Sequence, residues 1–154
     1  MIETAPIQIY VDADACPVKD EVVRVGERHG LVMHFVSNAW MRLPEGPLVR
    51  RVVVPDGPDV ADDWIAERAG PRDVVVTSDI PLAARVFKNG ARIVTQYGKR
   101  LSDKNIGMAV ASRNLMHDLR EAGVVTSGNA SFSRKARSDF LQALEQAVQE
   151  AKRG

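Results

Sequence analysis

Short apolar runs alternate along this chain with segments whose apolar positions recur every three or four residues. Residues 7–11 read as a buried strand. Residues 17–29 read as a helix with Val18, Val22 and Val25 on one face, and Gly30 stands where a left-handed cap residue usually ends a helix. Residues 31–36 predict a second strand, 37–50 a loop containing Pro44, Gly46 and Pro47, and 51–54 a short β-branched strand. A helix is expected over 60–69, with Ala61, Trp64 and Ile65 inward, then a buried strand over 73–77. The helix expected over 81–88 turns Leu82, Ala83, Val86 and Phe87 inward, stops at Asn89-Gly90, and is followed by a strand over 91–94. Residues 106–122 predict a helix with Ile106, Val110, Met116 and Leu119 toward the core. A Ser/Gly-rich loop follows over 124–138, then an amphipathic helix over 139–152 on Phe140, Leu144 and Val148.

Strand and helix in alternation, with continuous Val/Ile strands, predict a parallel sheet covered on both faces. The expected class is therefore α/β, a three-layer Rossmann-like domain. With no repeat and no linker in view, residues 1–154 read as one domain, an ordinary size for one. Ligands of such sheets bind beyond the carboxyl ends of the strands.

Charge narrows the choice of partner. Lys plus Arg total 21 and Asp plus Glu 20, so any nucleic-acid binding must come from a local basic patch. One cysteine excludes an internal disulfide and agrees with a reducing cytosol. The first residues lack a basic n-region and an apolar h-region, and no apolar run approaches the ~20 residues of a membrane span. A cytoplasmic protein without a membrane partner is expected.

Three segments repeat one pattern: apolar strand, acid, helix start. Asp12 and Asp14 follow the first strand; Asp59, Asp62 and Asp63 follow the strand at 51–54; Asp79 follows the strand at 73–77. Each aspartate alone fits a helix cap or first-turn residue, as does Asp103 further on, and Pro81 fits the helix start after Asp79. Capping one helix takes one side chain, however, and the first junction carries two carboxylates. Like charges held close raise a pKa unless a cation offsets them. Magnesium or manganese, which prefer oxygen ligands, suit that role and can activate water against a phosphate ester.

With Asp12 and Asp79 in place, "VDADACPVK" at 11–19, "DVAD" at 59–62, "VVTSDIPLAARVFKNGA" at 75–91 and "FSRKARSDFLQAL" at 132–144 resemble the YaiI/YqxD family of bacterial proteins. The match covers nearly the whole chain, and the first and third motifs together are specific. The resemblance implies a PIN-like (NYN-like) nuclease fold and a metal-dependent RNase-type site. Asp12 then corresponds to the acid after the first strand and Asp79 to the acid of a Thr-x-Asp motif. Asp59 or Asp62 is similar to the middle acid of NYN-like domains, and Asp14 belongs to the family's own Asp-Ala-Asp signature. A fourth PIN-type acid has no match, because Val94 is followed by Thr95-Gln96-Tyr97. The family's basic, glycine-bearing loop survives in altered form as Tyr97-Gly98-Lys99-Arg100.

The remaining candidates are polar groups expected at the same edge. Lys19, Lys99 and Arg100 are candidate phosphate contacts, with Lys104 beside them; Ser37, Asn38, Thr77 and Ser78 are candidate holders of water or substrate. Arg134, Lys135 and Arg137 are read as a second basic group ahead of the last helix. Trp40 either stacks a base or packs down on the body. Cys16 is read as structural, since no histidine lies near it in sequence, and His29, His34 and His117 lack zinc-ligand spacing.

Three functions follow. The first is a magnesium- or manganese-dependent nuclease acting on single-stranded RNA. Asp12, Asp14 and Asp79, with Asp59 or Asp62, would hold the metal, and Lys19 and the Lys99/Arg100 loop would steady the backbone. The second is a haloacid-dehalogenase-like phosphatase with Asp12 as nucleophile, for which the later lysine and paired acids are not evident. The third is a non-catalytic RNA- or partner-binding module. Nothing in the sequence fixes the oligomeric state.

Overall fold

The computed structural model describes residues 6–14, 16–108 and 133–153. Every described strand joins one six-stranded sheet in the order β3-β2-β1-β4-β5-β6. The strands are β1 (Ile9–Asp12), β2 (Met33–Ser37), β3 (Val49–Val53), β4 (Val74–Val76), β5 (Arg92–Val94) and β6 (Arg100–Leu101). All neighbours run parallel except β5 and β6, which are antiparallel. The three-layer, Rossmann-like α/β arrangement expected from the alternation of periods is present.

Helix α1 (Lys19–His29) packs on one face with α5 (Arg134–Arg153), and α2 (Val60–Arg68) and α3 (Ile80–Lys88) pack on the other. Right-handed crossovers require this split, because the strand order runs outward in both directions from β1 and β4. Val18, Val22 and Val25 of the α1 segment meet Phe140, Leu144 and Val148 of α5 in the first core. Ile65, Leu82 and Val86 meet Tyr10, Val36 and Val75 in the second. Gly30 closes α1 in the left-handed conformation, as its position predicts. The β2–β3 crossover (38–48) holds no helix; buried Leu43, with Met41 and Leu48, covers the first core there.

Some elements differ from expectation. The Lys99–Arg100 segment is not wholly loop: Arg100 and Leu101 form β6, folded back on β5. Helix α5 starts at Arg134, five residues before the expected 139, and the Ser133 hydroxyl accepts from the Ala136 amide at 3.0 Å as a cap would. Residues 134–138, expected as loop, are therefore helical. A helical stretch, α4, is described over 103–108 and buries Ile106. Val110, Met116 and Leu119 lie outside the described residues, as does most of the Ser/Gly-rich segment.

Candidate metal centre at the carboxyl edge

Strand order reverses between β1 and β4, so the crevice that ligands of such sheets favour opens beyond their carboxyl ends. Asp12 is the last residue of β1, and Asp79 comes three residues after β4. The Ala13 amide still bonds Val36 O at 2.9 Å, so the chain stays extended through Asp-Ala-Asp. Alternation then buries Ala13 in the first core and leaves Asp12 and Asp14 to line the crevice.

Asp12, Asp14, Asp59, Asp62 and Asp79 line one cavity of about 230 Å³ together with Asn38, Gly57 and Ala61. A second cavity, about 220 Å³, uses Asp12, Asp14 and Asp79 again, with Cys16, Thr77, Ser78 and Gln96. These three aspartates line both compartments; the first adds two further acids, and the second adds only uncharged side chains.

Hydrogen bonds fix several of these groups. The Thr77 hydroxyl donates to Asp12 Oδ2 at 3.0 Å and accepts the Asp79 amide at 3.0 Å. Asp79 Oδ1 accepts the Leu82 amide at 3.0 Å and so caps α3. The cap and ligand readings of Asp79 are compatible, because the bond uses one of its two oxygens. The Asn38 amide donates to Asp14 Oδ2 at 3.3 Å. Asp59 stands at the cap position of α2 but makes no side-chain cap bond, and its φ of 67° is rare for a residue other than glycine. Asp63 pairs with Arg85 at 2.7 Å and does not line either compartment.

The carboxyls act on one another. Burial raises the Asp12 pKa, Thr77 partly offsets this, and Asp79 and Asp14 push it further up. Asp62 is pushed up to about 6, first by burial and then by Asp79, Asp12 and Asp59, with Arg85 opposing. A divalent cation would relieve this repulsion. Among the described residues, no three His, Cys, Asp or Glu side chains form a ready-made metal cage. Magnesium nonetheless keeps several waters and needs only one or two carboxylates, so all-oxygen donors around a shared cavity fit a hydrated Mg2+ or Mn2+.

The other expected residues divide. Ser78, Thr77 and Asn38 lie at the cavities. Ser37 is buried, its hydroxyl donating to Ala39 O at 2.6 Å, so it shapes the loop after β2. Lys19 Nζ donates to Cys16 O at 2.7 Å and so stays beside the crevice. Lys99 and Arg100 line a different and larger space, about 760 Å³, between the β5–β6 turn and α5. Arg100 there pairs with Glu150 at 2.9 Å. That space is lined chiefly by Gln and mixed charges, without the converging acids of the crevice.

Arg137 donates to Pro17 O at 2.8 Å and pairs with Glu21, which ties α5 to α1, and Lys135 pairs with Asp139 one turn along α5 itself. Cys16 is buried and its thiol pKa is raised chiefly by that burial, which disfavours a nucleophilic thiolate. His29 bonds Glu145 and His34 stacks on Tyr10. Trp40 does not pack down: it is 65% exposed. Gln96 and Gly57 were not among the candidates. Gln96 follows a parallel strand at the same edge, and that position is the signal that marks it.

A family model described as "Uncharacterized BCR, YaiI/YqxD family" matches residues 10–150. A "UPF0178 protein" of Parvibaculum lavamentivorans is 58% identical over 146 residues, covering 95% of this chain and 96% of its own. A second, from Rhodospirillum rubrum, is 54% identical and covers 96% and 99%, and a third, from Rhodopseudomonas palustris, is 53% identical and covers 96% and 90%. No solved structure matches the chain.

Proposed function

The chain belongs to the YaiI/YqxD family, and from its carboxylate edge we propose that it is a PIN-like, divalent-metal-dependent nuclease acting on single-stranded RNA. One observation carries this reading: five aspartates from three separate strand–helix junctions line one cavity at the point where strand order reverses. Caps alone would not gather them there.

Asp12, Asp14 and Asp79, with Asp59 or Asp62, would hold Mg2+ or Mn2+. When bound, such an ion supplies a water of lowered pKa and charge stabilisation at the phosphate. The chain's own residues supply position. Thr77 fixes the Asp12 carboxylate, and the Asn38 amide fixes Asp14. Asp79, held through one oxygen at the start of α3, keeps the other for the ion. The second compartment adds Thr77, Ser78 and Gln96, which offer hydrogen-bond partners to a phosphate or ribose beside the acids. Lys19, tied to the carbonyl of Cys16 at the second compartment, would steady the strand; Lys99 borders the neighbouring space and Arg100 is held by Glu150.

The test is hydrolysis of a labelled single-stranded RNA with Mn2+, with Mg2+ and with EDTA. Metal-dependent cleavage is expected and is lost in Asp12→Asn. Cleavage that persists in that variant, or the trapping of a phosphoaspartate on Asp12, defeats the assignment.

A further inference from the structure

Trp40 sits two residues beyond Asn38, whose side of the crevice borders the acids. Two residues span at most about 7 Å, so the Trp40 backbone lies within that reach of Asn38, while the indole leans on β3 beside the crevice and lines neither compartment. It is 65% exposed, an unusual state for a side chain whose burial would be strongly favourable. Its orientation is nevertheless supported. The Arg51 guanidinium lies 4.7 Å from the ring centroid, and Arg51 Nε donates to Met41 O at 3.0 Å, which ties the cation to the same loop. One face of the indole is thus backed by a cation, and the ring keeps most of its surface in water.

An exposed aromatic ring with an adjoining guanidinium is how proteins stack a base and meet its phosphate together. We infer that Trp40 and Arg51 form a nucleobase-stacking platform, in the loop that follows Asn38, that holds one nucleotide of a single strand whose neighbouring phosphate reaches the aspartate crevice. The inference rests on the nuclease reading above and adds the feature of the substrate that is gripped: an unpaired base, because a base inside a duplex has no face to offer. Arg51 has two roles, orienting the indole and carrying a positive charge toward the strand. Neither depends on the metal.

The experiment separates binding from chemistry. With the full chain in EDTA, a short single-stranded oligoadenylate should quench tryptophan emission. The same strand made abasic should not. Trp64 remains in Trp40→Ala, so loss of the quench in that variant assigns it to Trp40. Affinity, read by anisotropy of a labelled strand, should fall between about fivefold and about a hundredfold in Trp40→Ala and recover largely in Trp40→Phe. In the metal-loaded reaction, Trp40→Ala should raise KM more than it lowers kcat. Equal affinity in Trp40→Ala, or equal quenching by the abasic strand, overturns the platform. If the quench appears but no metal supports cleavage, the nuclease reading falls and the platform stands. If cleavage occurs and Trp40→Ala leaves KM unchanged, the platform alone falls.

Discussion

Thr77, the residue after β4, and Asp12, the last of the neighbouring β1, are joined by a 3.0 Å hydrogen bond although they lie 65 residues apart in sequence. The same hydroxyl accepts the Asp79 amide, so one buried side chain sets two of the crevice's carboxylates.

Replacing Thr77 by valine keeps the shape and removes the hydroxyl. Asp12 then loses the bond that lowers its pKa, and the Asp79 amide loses its acceptor. Metal-dependent activity is expected to shift its acidic limb to higher pH, and stability to fall by about 1–3 kcal/mol. Thr77→Ser should retain both. A pH–rate profile and urea unfolding check this, and a valine variant with the wild-type limb would remove Thr77 from any positioning role.

Asp62 carries a linked pH effect. Its folded pKa, about 6, exceeds the ordinary 3.8, so the native state binds the proton more tightly. The contribution is present in full below pH ~4 and is lost as pH rises through ~6. Asp62→Asn should therefore raise stability at neutral pH and flatten its dependence between these limits. Because Asp62 is partly exposed, solvent screening keeps the gain below about 1 kcal/mol. Mn2+ should stabilise the wild type at pH 7 more than at pH 5. Thermal melts with and without metal test both, and a steeper pH dependence in the asparagine variant would contradict the repulsion.

Gly26 is a purely structural test. A Cβ there would stand 2.2 Å from Met33 Sδ, where α1 packs on the start of β2. Gly26→Ala should cost about 1–3 kcal/mol by overpacking. Met33 begins β2 and Ser37 ends it, so the disturbed contact lies at the sheet edge opposite the crevice. The metal-induced rise in melting temperature should survive in this variant, and its loss would show that the two edges are coupled.

Much of this architecture is legible in the sequence. Val74-Val75-Val76 is buried on both faces, so it appears as an unbroken apolar run. Asp12 and Asp79 meet because parallel strands bring their carboxyl ends to one edge, which topology alone dictates. Other features were not local. The two-residue strand Arg100–Leu101 is too short to show a period. The charged first turn of α5 has no apolar stripe until Phe140, so its true start was hidden. The pairing of Arg100 with Glu150 depends on residues 50 positions apart. Asp62 and Asp63 are neighbours that fit a helix start equally, and only the resemblance favours Asp62. Only the helix's rotation sends one to the crevice and the other to Arg85.

The reversal of strand order has a practical corollary. The crevice arises because the crossovers on either side of it leave in opposite directions, and no side chain has to hold it open. Its acids sit at strand ends and helix starts, while the two cores are closed by other residues. Scaffold and chemistry are therefore separable. Single Asp→Asn variants at this edge should fold well enough to crystallise with an uncleaved strand in place.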